Sequence, residues 1–124
     1  MKYLTWKFAS PPNFRNVPEK PGIYIISTQQ EIDHEFEVKY IGHADNLFAR
    51  ANEHWSPKER NPVLKAHIEE SYIMKFNYSL VESDEEREGM VSYLHTKLQP
   101  PFNKAPNDGI EMIKCTVPAV RKQI

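Results

Sequence analysis

The chain has 124 residues and a mass of 14.5 kDa, the size of one ordinary domain and too small for two. Apolar residues make up 40% of it and charged residues 27%, which is typical of a globular protein and excludes a disordered or fibrous one. Sixteen basic and seventeen acidic residues give a net charge of −1, so composition alone does not indicate a strong nucleic-acid binder.

The apolar runs and the cysteine content indicate in which compartment the protein is expected. The longest apolar run lies around residues 23–26, too short to span a membrane, and residues 1–7 contain no apolar stretch of a secretion signal. Cys115 is the single cysteine, which excludes an internal disulfide and a multi-cysteine zinc site. We therefore expect a soluble, intracellular (cytoplasmic) domain with no membrane partner.

Strand signals come first in chain order. Residues 4–8 alternate apolar and polar side chains and predict a short edge strand. Residues 22–27 follow a proline and are β-prone, and residues 36–41 form a second such run after a polar turn. These two runs predict an antiparallel hairpin. Residues 74–80 alternate again and predict a further strand with one core face.

The first predicted helix follows the hairpin. Asn46 is a candidate N-cap, and apolar residues at helical spacing come after it. They form the stripe Leu47, Phe48, Ala51 and Trp55. Arg50 and His54 stand four residues apart, and the spacing places both on the edge of this stripe.

Two further helices complete the pattern. Asn61-Pro62 places a cap before a proline and predicts a helix to about residue 70. Ser83 and Glu86 form a capping box, which predicts a helix that ends near residue 98. The order of elements indicates an α/β domain, a small layered fold around an antiparallel sheet.

Two triplets on the predicted hairpin resemble those of a known family. Gly22-Ile23-Tyr24 and Tyr40-Ile41-Gly42, with their tyrosines sixteen residues apart, resemble the two motifs that name the GIY-YIG nuclease superfamily. The resemblance continues through Arg50 and His54 to Asn103 after the last helix. All these motifs stand in the family's order and spacing, which makes them far more specific together than singly.

The resemblance also implies a fold and its limits. It covers residues 21–103 and implies a three-stranded antiparallel sheet flanked by helices, which matches the strands predicted at residues 22–27, 36–41 and 74–80 and the helices between and after them. Residues 1–20 are then an N-terminal extension, and residues 104–124 are a C-terminal tail, of one domain that spans residues 1–124. The tail is apolar enough to pack back onto the domain, in a place that its pattern does not specify.

The activity implied by the resemblance is phosphodiester hydrolysis with one divalent cation, Mg²⁺ or Mn²⁺. Matched by position, Tyr24 is the general base or the phenol that orients the water, and Tyr40 is its partner across the hairpin. Arg50 binds the scissile phosphate because guanidinium keeps its charge at any relevant pH, and His54 lies one turn further on. A tyrosine base needs a nearby cation, since its reference pKa is about 10.

Each of these residues also has a plain structural interpretation. Strand tyrosines such as Tyr24 and Tyr40 are commonly half-buried sheet residues, and an Arg–His pair on a helix edge is commonly solvated. Gly22 and Gly42 are strand glycines of the kind that allow close backbone approach. In the same sense, we expect Asn103 to hold the loop after the last helix. The occurrence of all these residues together, in the order and spacing of the family, favours a nuclease-type cleft.

The metal ligand departs from the family pattern. The family's glutamate most often stands twelve residues before the final asparagine, and that position is Val91 here. Glu88, fifteen residues before Asn103, is the first candidate ligand, and Asp84 is the second. The acids at the start of this helix also suit the helix dipole without any metal.

Two functions remain open at this stage. The first is a small metal-dependent endonuclease that acts on DNA, with modest affinity for duplex and with specificity that a protein partner could supply. The second is a catalytically inactive GIY-YIG-like module that binds nucleic acid or protein. Val91 and the near-neutral charge favour the second function. The intact set of two tyrosines, arginine and histidine favours the first.

Overall fold

The computed structural model describes residues 1–31, 35–56, 61–70, 73–103 and 109–118. Within these ranges the chain forms the following elements: β1 (Lys7–Ala9), β2 (Gly22–Gln29), β3 (Glu37–Ala44), α1 (Leu47–Trp55), α2 (Pro62–Glu70), β4 (Ile73–Leu80) and α3 (Asp84–Leu98). The predicted strands and helices are confirmed in type and order, with ends shifted by a few residues. None of the described helices combines the length and the hydropathy needed to cross a membrane.

One antiparallel sheet carries all the strands in the order β1-β4-β2-β3. The α/β class with helices flanking an antiparallel sheet is confirmed, but the expected count of three strands is wrong. The fourth strand, Lys7–Ala9, pairs with residues 76–78 of β4. It is the edge strand that the alternation at residues 4–8 predicts, and it supplies hydrogen-bond partners to an edge of β4 that would otherwise lack them.

The helices lie on both faces of the sheet, because side chains of a strand point alternately to either side. Tyr24 and Ile26 of β2 pack with Leu47 and Ala51 of α1, and residues of α2 belong to the same cluster. We call this side the α1 face. The intervening residues of β2 pack with Met90 and Leu94 of α3, on what we call the α3 face.

The inner side of α1 differs from its predicted apolar stripe. The indole of Trp55 is 45% exposed, so its assignment to the stripe is wrong. His54 is buried in its place, at 4% exposure, together with Leu47 and Ala51. The helical repeat brings residues 47, 51 and 54 onto one face. A histidine is tolerated there because its ring nitrogen has a hydrogen-bond partner.

The described part of the tail, residues 109–118, packs on the α3 face. The amide of Lys2 donates to the carbonyl of Lys114 (2.8 Å), and the indole of Trp6 donates to the carbonyl of Thr116 (2.9 Å). The tail and the N-terminal segment thus cover each other, away from the α1 face. Residues 104–108 and 119–124 of the predicted tail lie outside the described residues.

Candidate active site

Tyr24 and Gly42 are directly paired across β2 and β3. The ring of Tyr24 lies over Gly42 so closely that a Cβ there would stand 2.5 Å from the hydroxyl oxygen and 2.6 Å from Cζ. No side chain fits at this distance. The glycine that ends the second triplet therefore makes room for the tyrosine that ends the first.

Tyr24 is hydrogen-bonded to His54 inside the protein. Its hydroxyl lies 2.7 Å from Nε2 of His54, and the two residues are 1% and 4% exposed. The phenol donates when Nε2 is unprotonated, and the direction reverses in the other tautomer. This bond joins β2 to α1, and it satisfies two polar groups that would be costly to bury alone.

Aromatic rings enclose this pair. The ring of Tyr40 stacks on that of Tyr24 with centroids 6.2 Å apart, and it lies 5.3 Å from the ring of His54. Phe76 lies on β4, the strand that pairs with β2 on the side away from β3. Its ring stacks on that of Tyr24 with centroids 5.0 Å apart. Tyr40 is only partly buried. Of the two motif tyrosines it is thus the one that solvent can reach.

Arg50 lies on α1, one turn before His54, and is partly exposed. A guanidinium nitrogen stands 3.8 Å from a carboxylate oxygen of Glu53. A pair this long at a solvent-exposed position contributes little, so it competes weakly with a phosphate for the arginine. A permanent cation one turn before His54, whose ring contacts Tyr40, can bind an anion and hydrogen-bond to it.

Two motif residues hold the backbone around the site. A Cβ on Gly22 would strike the carbonyl oxygen of Ser79 and lie 2.6 Å from Leu47 Cδ1, so this glycine allows β2 to approach β4 and α1. Asn103 lies against the outer edge of β3. Its Oδ1 accepts from the amide of Ile41 (2.7 Å), and its Nδ2 donates to the Ile41 carbonyl (2.6 Å).

The candidate metal ligands lie on α3, whose buried side chains pack on the opposite face of the sheet from Tyr24. Asp84 is engaged, because its Oδ1 accepts from the buried guanidinium of Arg87 at 3.0 Å. Glu88 is exposed. The structure does not bring either carboxylate together with the tyrosines, and no group of three metal-binding side chains occurs in the part of the chain that the structure describes.

Two contributors to the site were missed from the sequence. Phe76 stacks on Tyr24, and the alternation of β4 could indicate only that it faces the core. Asn61 caps α2 as predicted, but its Nδ2 also donates to the carbonyl of Phe102 at 2.9 Å. Through this bond α2 is tied to the segment that holds β3, a contact for which no sequence signal exists.

The chain is similar to curated proteins named UvrABC system protein C. It is 35% identical over 88 residues to the protein from Bacteroides fragilis, which is 71% of this chain and 13% of that protein. It is 29% identical over 103 residues to the protein from Clostridium tetani, which is 82% of this chain and 16% of that protein. The chain thus spans only about a sixth of the length of these relatives, or less. No family model matches it, and no solved structure matches it significantly.

Proposed function

We propose that this chain is a GIY-YIG-type endonuclease domain that hydrolyses phosphodiester bonds in DNA. The observation that carries the proposal is the meeting of Tyr24, Tyr40, Gly42 and His54 in one contact group, with Arg50 one turn away. These residues come from two strands and a helix. The similarity to UvrABC system protein C supports a nuclease, and DNA as its substrate.

The two tyrosines differ in burial, and we assign them different roles for that reason. The Tyr24 hydroxyl is enclosed and bonded to His54, so Tyr24 acts as a positioning residue that fixes the ring beside it. The partly exposed Tyr40 then takes the role of orienting the attacking water and accepting its proton. Arg50 binds the scissile phosphate and stabilises the charge that develops on it.

The reaction in this proposal is an in-line hydrolysis. The water oxygen forms a bond to phosphorus while one phosphorus–oxygen ester bond breaks. Tyr40 first loses its phenolic proton to solvent, the attacking water then gives one proton to the resulting phenolate, and the leaving oxygen takes up a proton from solvent. The chain's own residues bind the phosphate, orient the water and hold the transferred proton.

The proposed cofactor is Mg²⁺ or Mn²⁺, with Glu88 as its protein ligand. Magnesium in nucleotide-processing sites takes one or two carboxylates and fills its other positions with waters and substrate phosphate. The exposed carboxylate of Glu88 suits such a site, whereas Asp84 is held by Arg87. A bound cation would neutralise charge on the phosphate and on the leaving oxygen.

A binding module without catalysis is the second candidate function. It is favoured by Val91 in the place of the family's glutamate and by the position of α3 on the opposite face from Tyr24. Such a module would bind nucleic acid through Arg50, or bind a protein partner, and it would not cut.

Nicking of supercoiled plasmid tests the proposal. We expect the wild type to nick with Mg²⁺ or Mn²⁺ and not with EDTA. Arg50→Ala should lower the rate by about 100-fold or more, as loss of a group that stabilises transition-state charge does. Arg50→Lys should retain part of the activity, and Arg15→Ala should behave as wild type because Arg15 is an exposed loop residue outside the site.

The outcomes separate the two functions. Equal nicking by Arg50→Ala and the wild type would contradict the proposed mechanism. Absence of nicking by the wild type on plasmid and on branched oligonucleotides, with binding retained, would leave the binding module as the function of the site.

A further inference from the structure

A groove of about 590 Å³ lies at the β1 edge of the sheet, whereas Tyr40 belongs to β3 at the other edge. Residues of the N-terminal segment, of the loop before β2 and of the end of β4 line it; those that matter here are Tyr3, Lys7, Asn16, Lys20, Tyr78 and Leu80. The N-terminal segment and the loop precede Gly22. The groove is therefore built largely by residues that lie outside the segment that resembles the nuclease family.

The groove combines positive charge with exposed apolar surface. Lys7 and Lys20 are both exposed, and no aspartate or glutamate is among the described residues that line the groove. Neither ammonium group takes part in an ion pair within the described ranges. The ring of Tyr3 is 84% exposed. Proteins bind single-stranded nucleic acid with lysines that contact the phosphate backbone and with exposed aromatic rings on which bases stack.

The sheet connects this groove directly to the candidate active site. Lys7 pairs with Tyr78, Tyr78 pairs with Tyr24, and Tyr24 pairs with Gly42. These four residues form one row across the sheet. With strands about 4.8 Å apart, the row is roughly 14 Å long from Lys7 to Gly42.

The loop side of the groove also reaches the active-site helix. The carbonyl of Lys20 accepts from the amide of Leu47, the first residue of α1, at 3.0 Å. Arg50 lies one turn along that helix. The backbone of Lys20 thus contacts α1 about one helical turn before Arg50, which is roughly 5 Å along the helix axis.

We propose that this groove binds an unpaired strand of the DNA that flanks the bond to be cut, with Lys7 and Lys20 on phosphates and Tyr3 against a base. This inference rests on the proposed function, whose substrate it specifies. A space of this size holds a ligand of one or two nucleotides and not a duplex. The substrate is then a DNA with a single-stranded stretch beside the cleavage site.

Fluorescence anisotropy with a labelled single-stranded oligonucleotide in EDTA tests this, because nothing is cut under those conditions. The double variant Lys7→Gln/Lys20→Gln should bind at least about 5-fold more weakly and reduce the salt slope of log Kd by about 1.4. Tyr3→Ala should also bind at least about 5-fold more weakly. Lys97→Gln removes an exposed lysine of α3 and should bind as wild type.

The same proteins are then compared in plasmid nicking, so that the two proposals fail separately. Unchanged binding by the double variant and by Tyr3→Ala overturns the groove proposal even if the wild type nicks DNA, and leaves the groove to a protein partner. Absence of binding by the wild type overturns it as well. If the wild type does not nick DNA but the variants bind the oligonucleotide more weakly than the wild type does, the result supports the groove proposal and contradicts the nuclease.

Discussion

Gly42 shows at the scale of one residue why the site needs its motif. A Cβ at this position would lie 2.5 Å from the Tyr24 hydroxyl, so the ring must move or the strands must part. We expect Gly42→Ala to lower the free energy of unfolding by about 1–3 kcal/mol, as overpacking does. It should also break the Tyr24–His54 hydrogen bond. Urea denaturation measures the first effect and loss of nicking reports the second.

A double-mutant cycle supplies the control for this prediction. Tyr24→Leu removes the ring that the new methyl group would strike, so the cost of Gly42→Ala should be smaller in that background. Fully additive costs would show that the clash with Tyr24 is not the cause.

Cys115 is a second residue whose surroundings determine its chemistry. Burial raises the pKa of its thiol from 9.0 to about 11, and its exposure is 1%. We expect the folded protein to react with a thiol reagent at pH 8 at least about 100-fold more slowly than the unfolded protein, since the thiolate is the nucleophile.

The same shift makes folding stability depend on pH. The folded thiol holds its proton at pH values where the unfolded one has lost it, so its contribution is complete below pH 9.0 and declines as pH rises through about 11. Cys115→Ala should remove this part of the decline. An unchanged pH profile in that variant would contradict the assignment.

At the scale of elements, the outer edge of β3 depends on the segment after α3. The amide of Phe102 donates to the carbonyl of Lys39 (3.2 Å), and the side chain of Asn103 makes both hydrogen bonds of Ile41. The two residues act as a short substitute for a neighbouring strand. They protect a sheet edge and hold the strand that carries Tyr40.

Asn103→Asp tests that role with almost no change in shape. The carboxylate keeps the acceptor for the Ile41 amide but places an oxygen against the Ile41 carbonyl, where Nδ2 donated before. We expect a loss of about 1–3 kcal/mol in the free energy of unfolding, the cost of a buried polar group left without its partner. Asn52→Asp, on the exposed side of α1, should cost clearly less in the same urea titration.

For the whole molecule, the two faces of the sheet separate different groups. Tyr24, Tyr40 and His54 lie on the α1 face, where Tyr40 is partly exposed, and the acids of α3 belong to the helix on the other face. Arg87 of α3 links the two sides, since its Nη2 donates to Asp45 in the loop before α1 at 2.9 Å and to Asp84 at 3.0 Å. A metal bound by Glu88 would therefore be held by the helix of the α3 face, and the structure does not bring that carboxylate together with Tyr24.

Metal removal and one substitution test this arrangement. Nicking should disappear with EDTA and return with Mg²⁺, and Glu88→Gln should lower the metal-dependent rate by at least about tenfold, as loss of a metal ligand does. Glu85→Gln removes a neighbouring exposed acid of α3 and should leave the rate unchanged. Equal rates for both variants and the wild type would contradict Glu88 as the ligand.

Much of the architecture is readable from local patterns. Caps, prolines and alternation are properties of neighbouring residues, which is why Asn46, Asn61 and Ser83 cap α1, α2 and α3 as predicted. Trp55 was misplaced because helical spacing assigns a face and not a depth. The packing of Tyr24 against α1 selected His54 for the interior instead.

Local patterns in the chain predict the elements, their order and the residues of the two triplets and of α1. Tertiary contacts alone explain why Tyr24 is enclosed while Tyr40 is partly exposed, why β1 pairs with β4, and why α3 packs on the other face. Those facts depend on contacts between residues far apart in the chain. Such contacts form when elements bury their apolar faces together, and no local pattern encodes them.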